Sequence, residues 1–135
     1  MMGSAMPARI LVVDDFEDAR DLYAEYLRTR GFEVSCAADG EAALHLALRS
    51  GYDLVVLDLA LPRMDGIAVL RELRRSPQTA KTPIIILSAS VGTEACQQTL
   101  DAGADLFLEK PCLPDELEKA VLGLLEARAR TTKQG

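Results

Sequence analysis

The sequence predicts an α/β domain of three αβα layers, with helices on both faces of a five-stranded parallel sheet. Two observations predict it. Five short runs rich in apolar and β-branched residues alternate with five longer stretches whose apolar residues recur at three- and four-residue steps, and such alternation builds βαβ units. Two of the runs, Leu54–Leu57 and Ile84–Leu87, are apolar without alternation, as strands buried on both faces are. The 135 residues make one domain, large enough to fold without disulfides or a structural metal.

Ile10–Val13 is the first strand. The first helix carries Ala19, Leu22, Tyr23, Tyr26 and Leu27 at a period near 3.6 and stops at Gly31. Phe32–Cys36 is the second strand, and the second helix runs from about Glu41 to Ser50, with His45 expected as an exposed helix residue. Leu54–Leu57 leads to a third helix over Gly66–Arg75, with Pro77 beyond its end. Pro83–Leu87 precedes a fourth helix over Gly92–Ala102 that stops at Gly103. Asp105–Leu108 is the last strand. The last helix begins near Pro114, which suits a first turn, and sets Leu117, Val121, Leu124 and Leu125 on one face. The domain therefore spans 9–127. Residues 1–8, with the Gly-Ser pair of MMGSAM, read as a disordered or vector-derived start, and 128–135 as a polar tail, of which Thr131 to Gly135 is expected to fray.

Composition excludes several function classes. Fifteen basic against 21 acidic residues leave a net charge of −6, whereas a sequence-independent grip on nucleic acid needs a basic surface. There is no Trp, and three Tyr with three Phe make no base-stacking platform. No apolar run approaches the ~20 residues of a membrane span, and the N-terminus lacks the halves of a signal peptide. Cys36, Cys96 and Cys112 form no CxxC pair, so they read as small thiols in a reducing cytoplasm.

In an open parallel sheet, ligands bind beyond the carboxyl ends of the strands. The first strand ends in Asp14-Asp15, the third in Asp58, the fourth in Ser88 and the fifth in Glu109-Lys110-Pro111. The second ends in Ala37-Ala38, which carries nothing reactive. Three carboxylates, Asp14, Asp15 and Asp58, thus converge with one hydroxyl and one ammonium. At ~4 Å and an effective dielectric near 20, each pair of acids repels by about 4 kcal/mol. A cation relieves this, and an all-oxygen donor set of a few carboxylates with waters suits Mg²⁺ better than a full Ca²⁺ cage. With Lys110, the ion brings the pocket to neutrality, so that it can admit a dianionic phosphoryl group.

These residues carry a resemblance. Ile10-Leu-Val-Val-Asp-Asp-Phe16, Asp53-Leu-Val-Val-Leu-Asp58, Leu61-Pro-Arg-Met-Asp-Gly66, Pro83-Ile-Ile-Ile-Leu-Ser-Ala89, Gly103-Ala-Asp105 and Glu109-Lys-Pro111 resemble the receiver domain of two-component response regulators, nearest in motif to the single-domain chemotaxis type. The match covers about Arg9 to Ala127, and its strength lies in order and spacing: 30 positions separate Asp58 from Ser88 and 22 separate Ser88 from Lys110.

The resemblance implies a flavodoxin-like sheet of order 2-1-3-4-5 and a role for each residue. Asp58 would be the phosphoacceptor. Asp15 and Asp58 would ligate Mg²⁺ directly, Asp14 largely through water, and the backbone carbonyl of Ala60 would add a ligand. Ser88 and Lys110 would bind phosphoryl oxygens. Ala89, beside Ser88, would leave the acyl phosphate open to water, and Ala60 adds no side chain over it. Phe107 would be a switch aromatic, read out by the fourth helix, fifth strand and fifth helix. Pro62 and Gly66 would bound the loop after Asp58, and Lys110–Pro111 is a candidate cis peptide. The implied partners are a sensor histidine kinase or histidine phosphotransfer protein and an effector or output domain, with no membrane and no direct nucleic-acid contact. The implied state is cytoplasmic, either a monomer or a phosphorylation-dependent dimer.

Three points stay open at this level. Tyr23, Tyr26 and Leu27 are either core or part of a docking stripe for the phosphodonor. A phosphorylation-independent binding domain of the same fold is an alternative reading. A Mg²⁺-dependent phosphohydrolase is another, although such enzymes carry an acid two positions after the nucleophile, where this chain has Ala60.

Overall fold

The computed structural model describes residues 6–89 and 92–134, with side chains through Arg130. The chain alternates strictly. β1 (Arg9–Val13) leads to α1 (Glu17–Thr29), β2 (Glu33–Ala37) to α2 (Gly40–Arg49), and β3 (Leu54–Leu57) to α3 (Gly66–Arg75). β4 (Ile84–Ser88) then leads to α4 (Thr93–Asp101), and β5 (Leu106–Glu109) to α5 (Pro114–Gln134). All four strand pairings are parallel, in the order β2-β1-β3-β4-β5. This is the expected topology, with β2, β4 and β5 each one residue later than the apolar pattern placed them.

Burial follows position in the sheet. Every residue of β3 and β4 is buried, whereas β2 and β5 are mostly half-exposed. A strand paired on both sides and covered on both faces has no polar side to offer water. Side chains alternate between two cores. Leu11, Val13, Val55, Leu57, Ile84 and Ile86 pack with α2 and α3 residues such as Ala43, Val69 and Leu73. Ile10, Val12, Leu54, Val56, Ile85 and Leu87 pack with Tyr23 and Leu27 of α1 and Leu117 and Val121 of α5. The three layers therefore come directly from the period of two in the strands.

Local chemistry sets the ends of the helices. Asp39 and Asp65 accept from the amides of Ala42 and Ala68 at 2.8 and 2.9 Å, capping α2 and α3. Gly31 and Gly103 hold φ of 98° and 115° just past α1 and α4, where a side chain would be strained. Glu116 accepts from the Leu113 amide at 3.0 Å at the start of α5, half of a capping box.

Both expected ends need correction. Met1 to Ala5 and Gly135 lie outside the described residues. Ala8, expected within the disordered start, already accepts a hydrogen bond from the Glu33 amide at 3.0 Å. The expected tail 128–135 is instead helical through Gln134. Ala and Arg are strong helix formers, and no breaker intervenes. Arg130 pairs with Glu126 one turn back at 2.7 Å, and Arg128 donates to the Asp53 carbonyl at 3.0 Å. Polarity there marks a solvated helix face. His45 is exposed on α2, as expected. Cys36 and Cys96 are half-buried and Cys112 is buried, all three free, and burial pushes the Cys36 and Cys112 thiols up. Among the described residues, no helix is long and apolar enough to cross a membrane.

Candidate functional site

The strand register brings the site residues together. Asp14 follows β1 and Asp58 follows β3, and these strands are adjacent. The Asp14 amide donates to the Ala37 carbonyl at 3.1 Å and the Asp58 amide to the Val13 carbonyl at 3.0 Å. Both acids are thus anchored through the ladder itself. Oxygens of Asp14, Asp15 and Asp58 lie within 4.8 Å of one another. Asp14 and Asp58 are buried and Asp15 is exposed, so the cluster sits in a cleft with one acid at its mouth.

Lys110 enters from β5. Its Nζ donates to Asp14 Oδ2 at 2.6 Å and to Asp58 Oδ2 at 3.2 Å. Burial pulls the ammonium down, but the hydrogen bond to Asp14 and the charges of Asp58 and Asp14 outweigh it, and the net shift is upward. The Lys110 amide donates to the Ser88 carbonyl at 2.9 Å, which sets the buried Ser88 beside it. The Lys110–Pro111 peptide is cis, as expected. Three carboxylates against one ammonium leave a local excess of negative charge, and their oxygens are the donor set a hard divalent ion takes. The residues present therefore fit Mg²⁺.

The loop after Asp58 closes the cleft. Gly66 is buried, and its amide donates to the Leu59 carbonyl at 2.9 Å. A Cβ at Gly66 would stand 2.5 Å from the Asp58 carbonyl oxygen and 2.5 Å from Leu59 Cα. The glycine is required by this close approach. Pro62 is exposed in the same loop. Ala60 and Ala89 are exposed too, so small side chains line the mouth.

Other expected residues fall elsewhere. Phe107 is half-buried on β5 and packs at the margin of the core beneath α2 and α3. Tyr23 and Leu27 are core residues, and Tyr23 Oη donates to the Cys112 carbonyl at 2.6 Å. Tyr26 is half-buried and donates to Glu118 at 3.2 Å. The stripe on α1 is therefore mainly core, and Leu22 is its exposed member, at 53%.

Two groups at the site were not visible in the sequence. The Ala60 amide donates to Asp58 Oδ1 at 3.1 Å, so a main-chain donor faces the same carboxylate as Lys110. Arg20 of α1 donates to the Asp14 carbonyl at 3.0 Å and braces that turn. A main-chain donor leaves no mark on residue type. The i+6 spacing from Asp14 to Arg20 was readable only as a basic residue near the acidic pair.

The chain's similarities to known proteins agree with this arrangement. The model of the response regulator receiver domain matches residues 10–122. The transcriptional regulatory protein SrrA of Staphylococcus aureus is 39% identical over 127 residues, which is 94% of this chain and 52% of SrrA. This chain thus spans about half the length of the curated relatives it matches. The chemotaxis response regulator CheY4 of Vibrio cholerae superposes with a TM-score of 0.82 at 33% identity, covering 86% of this chain and 97% of that one. The receiver domain of the sensor histidine kinase PA1611 of Pseudomonas aeruginosa gives a TM-score of 0.83 at 31% identity, covering 89% and 98%, and holds a magnesium ion in its active-site cleft. Five parallel strands ending in an acidic cleft, at these identities, have one reading: the chain belongs to the receiver domain family of two-component response regulators, a family of signalling domains.

Proposed function

We propose that this domain accepts a phosphoryl group on Asp58 from a phosphohistidine, with Mg²⁺ held by Asp15, Asp58 and the Ala60 carbonyl and by Asp14 through water. The observation that carries the proposal is the convergence of Asp14, Asp15 and Asp58 within 4.8 Å on an ammonium already bound to two of them.

An Asp58 oxygen supplies the electron pair of the new P–O bond. The pair of the broken P–N bond leaves with the donor imidazole nitrogen. Phosphoryl transfer needs in-line positioning and neutralisation of equatorial oxygens more than covalent help from the protein. Bound Mg²⁺ supplies charge neutralisation. Lys110 can turn from Asp58 to an incoming phosphoryl oxygen with little movement, since its Nζ already reaches that carboxylate. The Ala60 amide is a second donor there, and Ser88 a third once its hydroxyl faces the group. The exposed Ala60 and Ala89 leave the acyl phosphate open to water or a phosphatase.

Population shift follows from these contacts. Reversing a 1:99 equilibrium takes about 5.5 kcal/mol, and a hydrogen bond to a charged group gives about 1.5–3 kcal/mol. Ser88 would supply one such contact, while Lys110 would exchange its bond to Asp58 for one to the phosphoryl group, so the two together supply part of that figure. The change is read out across α4, β5 and α5, with Phe107 turning inward as Ser88 moves. The phosphodonor is a histidine kinase or phosphotransfer protein. It docks over Phe16 and Leu113, exposed at 60% and 63%, which follow Asp15 and Lys110 at the two sides of the cleft, and over Leu22.

Incubation with acetyl phosphate and Mg²⁺, read by intact-mass spectrometry, tests the proposal. One phosphoryl group per chain is expected, with none in Asp58→Asn or in the presence of a chelator. Retained labelling in Asp58→Asn would move the acceptor to another residue.

A further inference from the structure

Gly40 is the first residue of α2, where alanine would favour the helix by about 1 kcal/mol. Its φ lies outside the left-handed region, since Gly31, Gly92 and Gly103 are the described glycines with positive φ. Glycine is therefore not needed there for backbone conformation. It is needed for space. A Cβ at Gly40 would stand 2.5 Å from the Met64 carbonyl oxygen, 2.8 Å from Met64 Cβ and 2.9 Å from Val69 Cγ2. Main-chain atoms and a Cβ cannot swing aside as the end of a long side chain can. Val69 is fully buried, so it cannot retreat either.

Met64 belongs to the loop that follows Asp58, and its amide donates to the Pro62 carbonyl at 2.7 Å. The same seam is crossed by Arg63, which holds φ 70° and lies 3.8 Å from Asp39 and 3.5 Å from Glu41. Arg63 is mostly exposed, so those ion pairs add little. The steric seat at Gly40 is the stronger contact. Gly66 fixes one end of the loop against Asp58 and Leu59, and Gly40 fixes its outer side. Between those two contacts lies Ala60, whose amide faces Asp58 Oδ1.

We propose that Gly40 is a positioning residue for the phosphoacceptor site, acting through Met64 on Ala60. This rests on the phosphoacceptor reading, but it makes a prediction about the protein without metal or phosphodonor. In Gly40→Ala, the amides of Ala60 and Gly66 should exchange with solvent about tenfold faster while those of β1 and β3 keep their protection. Mg²⁺ affinity and the rate of labelling by acetyl phosphate should fall about fivefold or more, since a displacement near 1 Å is costly at a reacting centre. Gly51→Ala, at a position with nothing within 4 Å, should change none of these.

Met64→Gly supplies a second route if Gly40→Ala fails to fold. It removes the Cβ that lies against Gly40 and frees the main chain there, and should also speed exchange at Ala60. Unchanged exchange at Ala60 in either folded variant overturns the proposal, as does exchange accelerated equally across the sheet. Absence of labelling in the wild-type protein would refute the phosphoacceptor reading alone, because the exchange comparison needs no phosphoryl group.

Discussion

At the amino-terminal rim of the sheet, Arg74 donates to the carbonyls of Gly103, Thr79, Ala80 and Thr82 and to Asp105, at 2.7 to 3.2 Å. At the carboxyl-terminal rim, Asp14 and Asp58 share Lys110, and Asp15 stands beside them with its charge unpaired by it. Both rims bury charge, but they complete it differently. Around Arg74 each of the three guanidinium nitrogens faces a fixed acceptor. Asp105 also takes the Ile84 amide at 2.8 Å, so one ion pair ties α3 to the starts of β4 and β5. The other rim keeps more acid than base. Charge that is balanced by the fold stabilises it, whereas charge left unbalanced is a demand for a ligand. The comparison locates structure at one end of the strands and chemistry at the other.

The largest expected effect comes from breaking the balanced rim. Arg74→Ala leaves four carbonyls without their charged donor, and the side chain it removes is only 19% exposed, whereas Asp105 is 41% exposed and keeps the Ile84 amide. The loss is that of charged hydrogen bonds, about 1.5–3 kcal/mol, which a urea denaturation midpoint will show. Mg²⁺ binding by the folded fraction should be unchanged, because Arg74 touches no part of the cleft. A Mg²⁺ affinity that fell with stability would erase the distinction between the rims.

A smaller effect is expected at high pH. The Lys110 ammonium is held above its ordinary value of 10.5, as described. The Tyr23 hydroxyl is raised above 10.0, chiefly by burial. Each group binds its proton more tightly in the folded state. Their stabilisation is therefore complete below about pH 10 and is lost as pH climbs through the folded-state values. Denaturation midpoints of the reduced protein measured without metal should hold steady from neutrality to about pH 9. They should begin to fall there, because Cys36 and Cys112 are also held above their ordinary 9.0, and fall further above about pH 10. A fall beginning near neutrality would contradict both assignments.

The smallest effect has the opposite sign. Asp15→Asn removes one like charge from the unbalanced rim, so the metal-free protein should gain a fraction of a kcal/mol in the same denaturation assay. A loss of stability would mean that Asp15 is a structural acid like Asp105.

Much of this was readable from residue type. The unbroken apolar runs of β1, β3 and β4 and the stops at Gly31 and Gly103 locate the elements to within a residue or two, because burial and φ are local demands. The converging acids were readable because a parallel sheet puts all carboxyl ends on one rim. The rest depended on partners that residue type does not reveal. Residue type does not single out Arg74, since four of its acceptors are main-chain carbonyls. Leu22 shared the apolar stripe of α1, yet α5 covers only the part containing Tyr23 and Leu27. Residues 128–134 looked like a tail because polarity reports solvent, not the end of a helix. Nothing in the residue type of Gly40 shows that Met64 lies against it.

The central claim is that the acid excess at one rim is a divalent-cation site. Isothermal titration of the unphosphorylated protein with Mg²⁺ tests it most directly, with Asp15→Asn beside it. The account predicts a single saturable site in the wild-type chain that is lost or much weakened in Asp15→Asn while the fold persists. No magnesium uptake by the wild-type protein, or equal uptake by both, would contradict it.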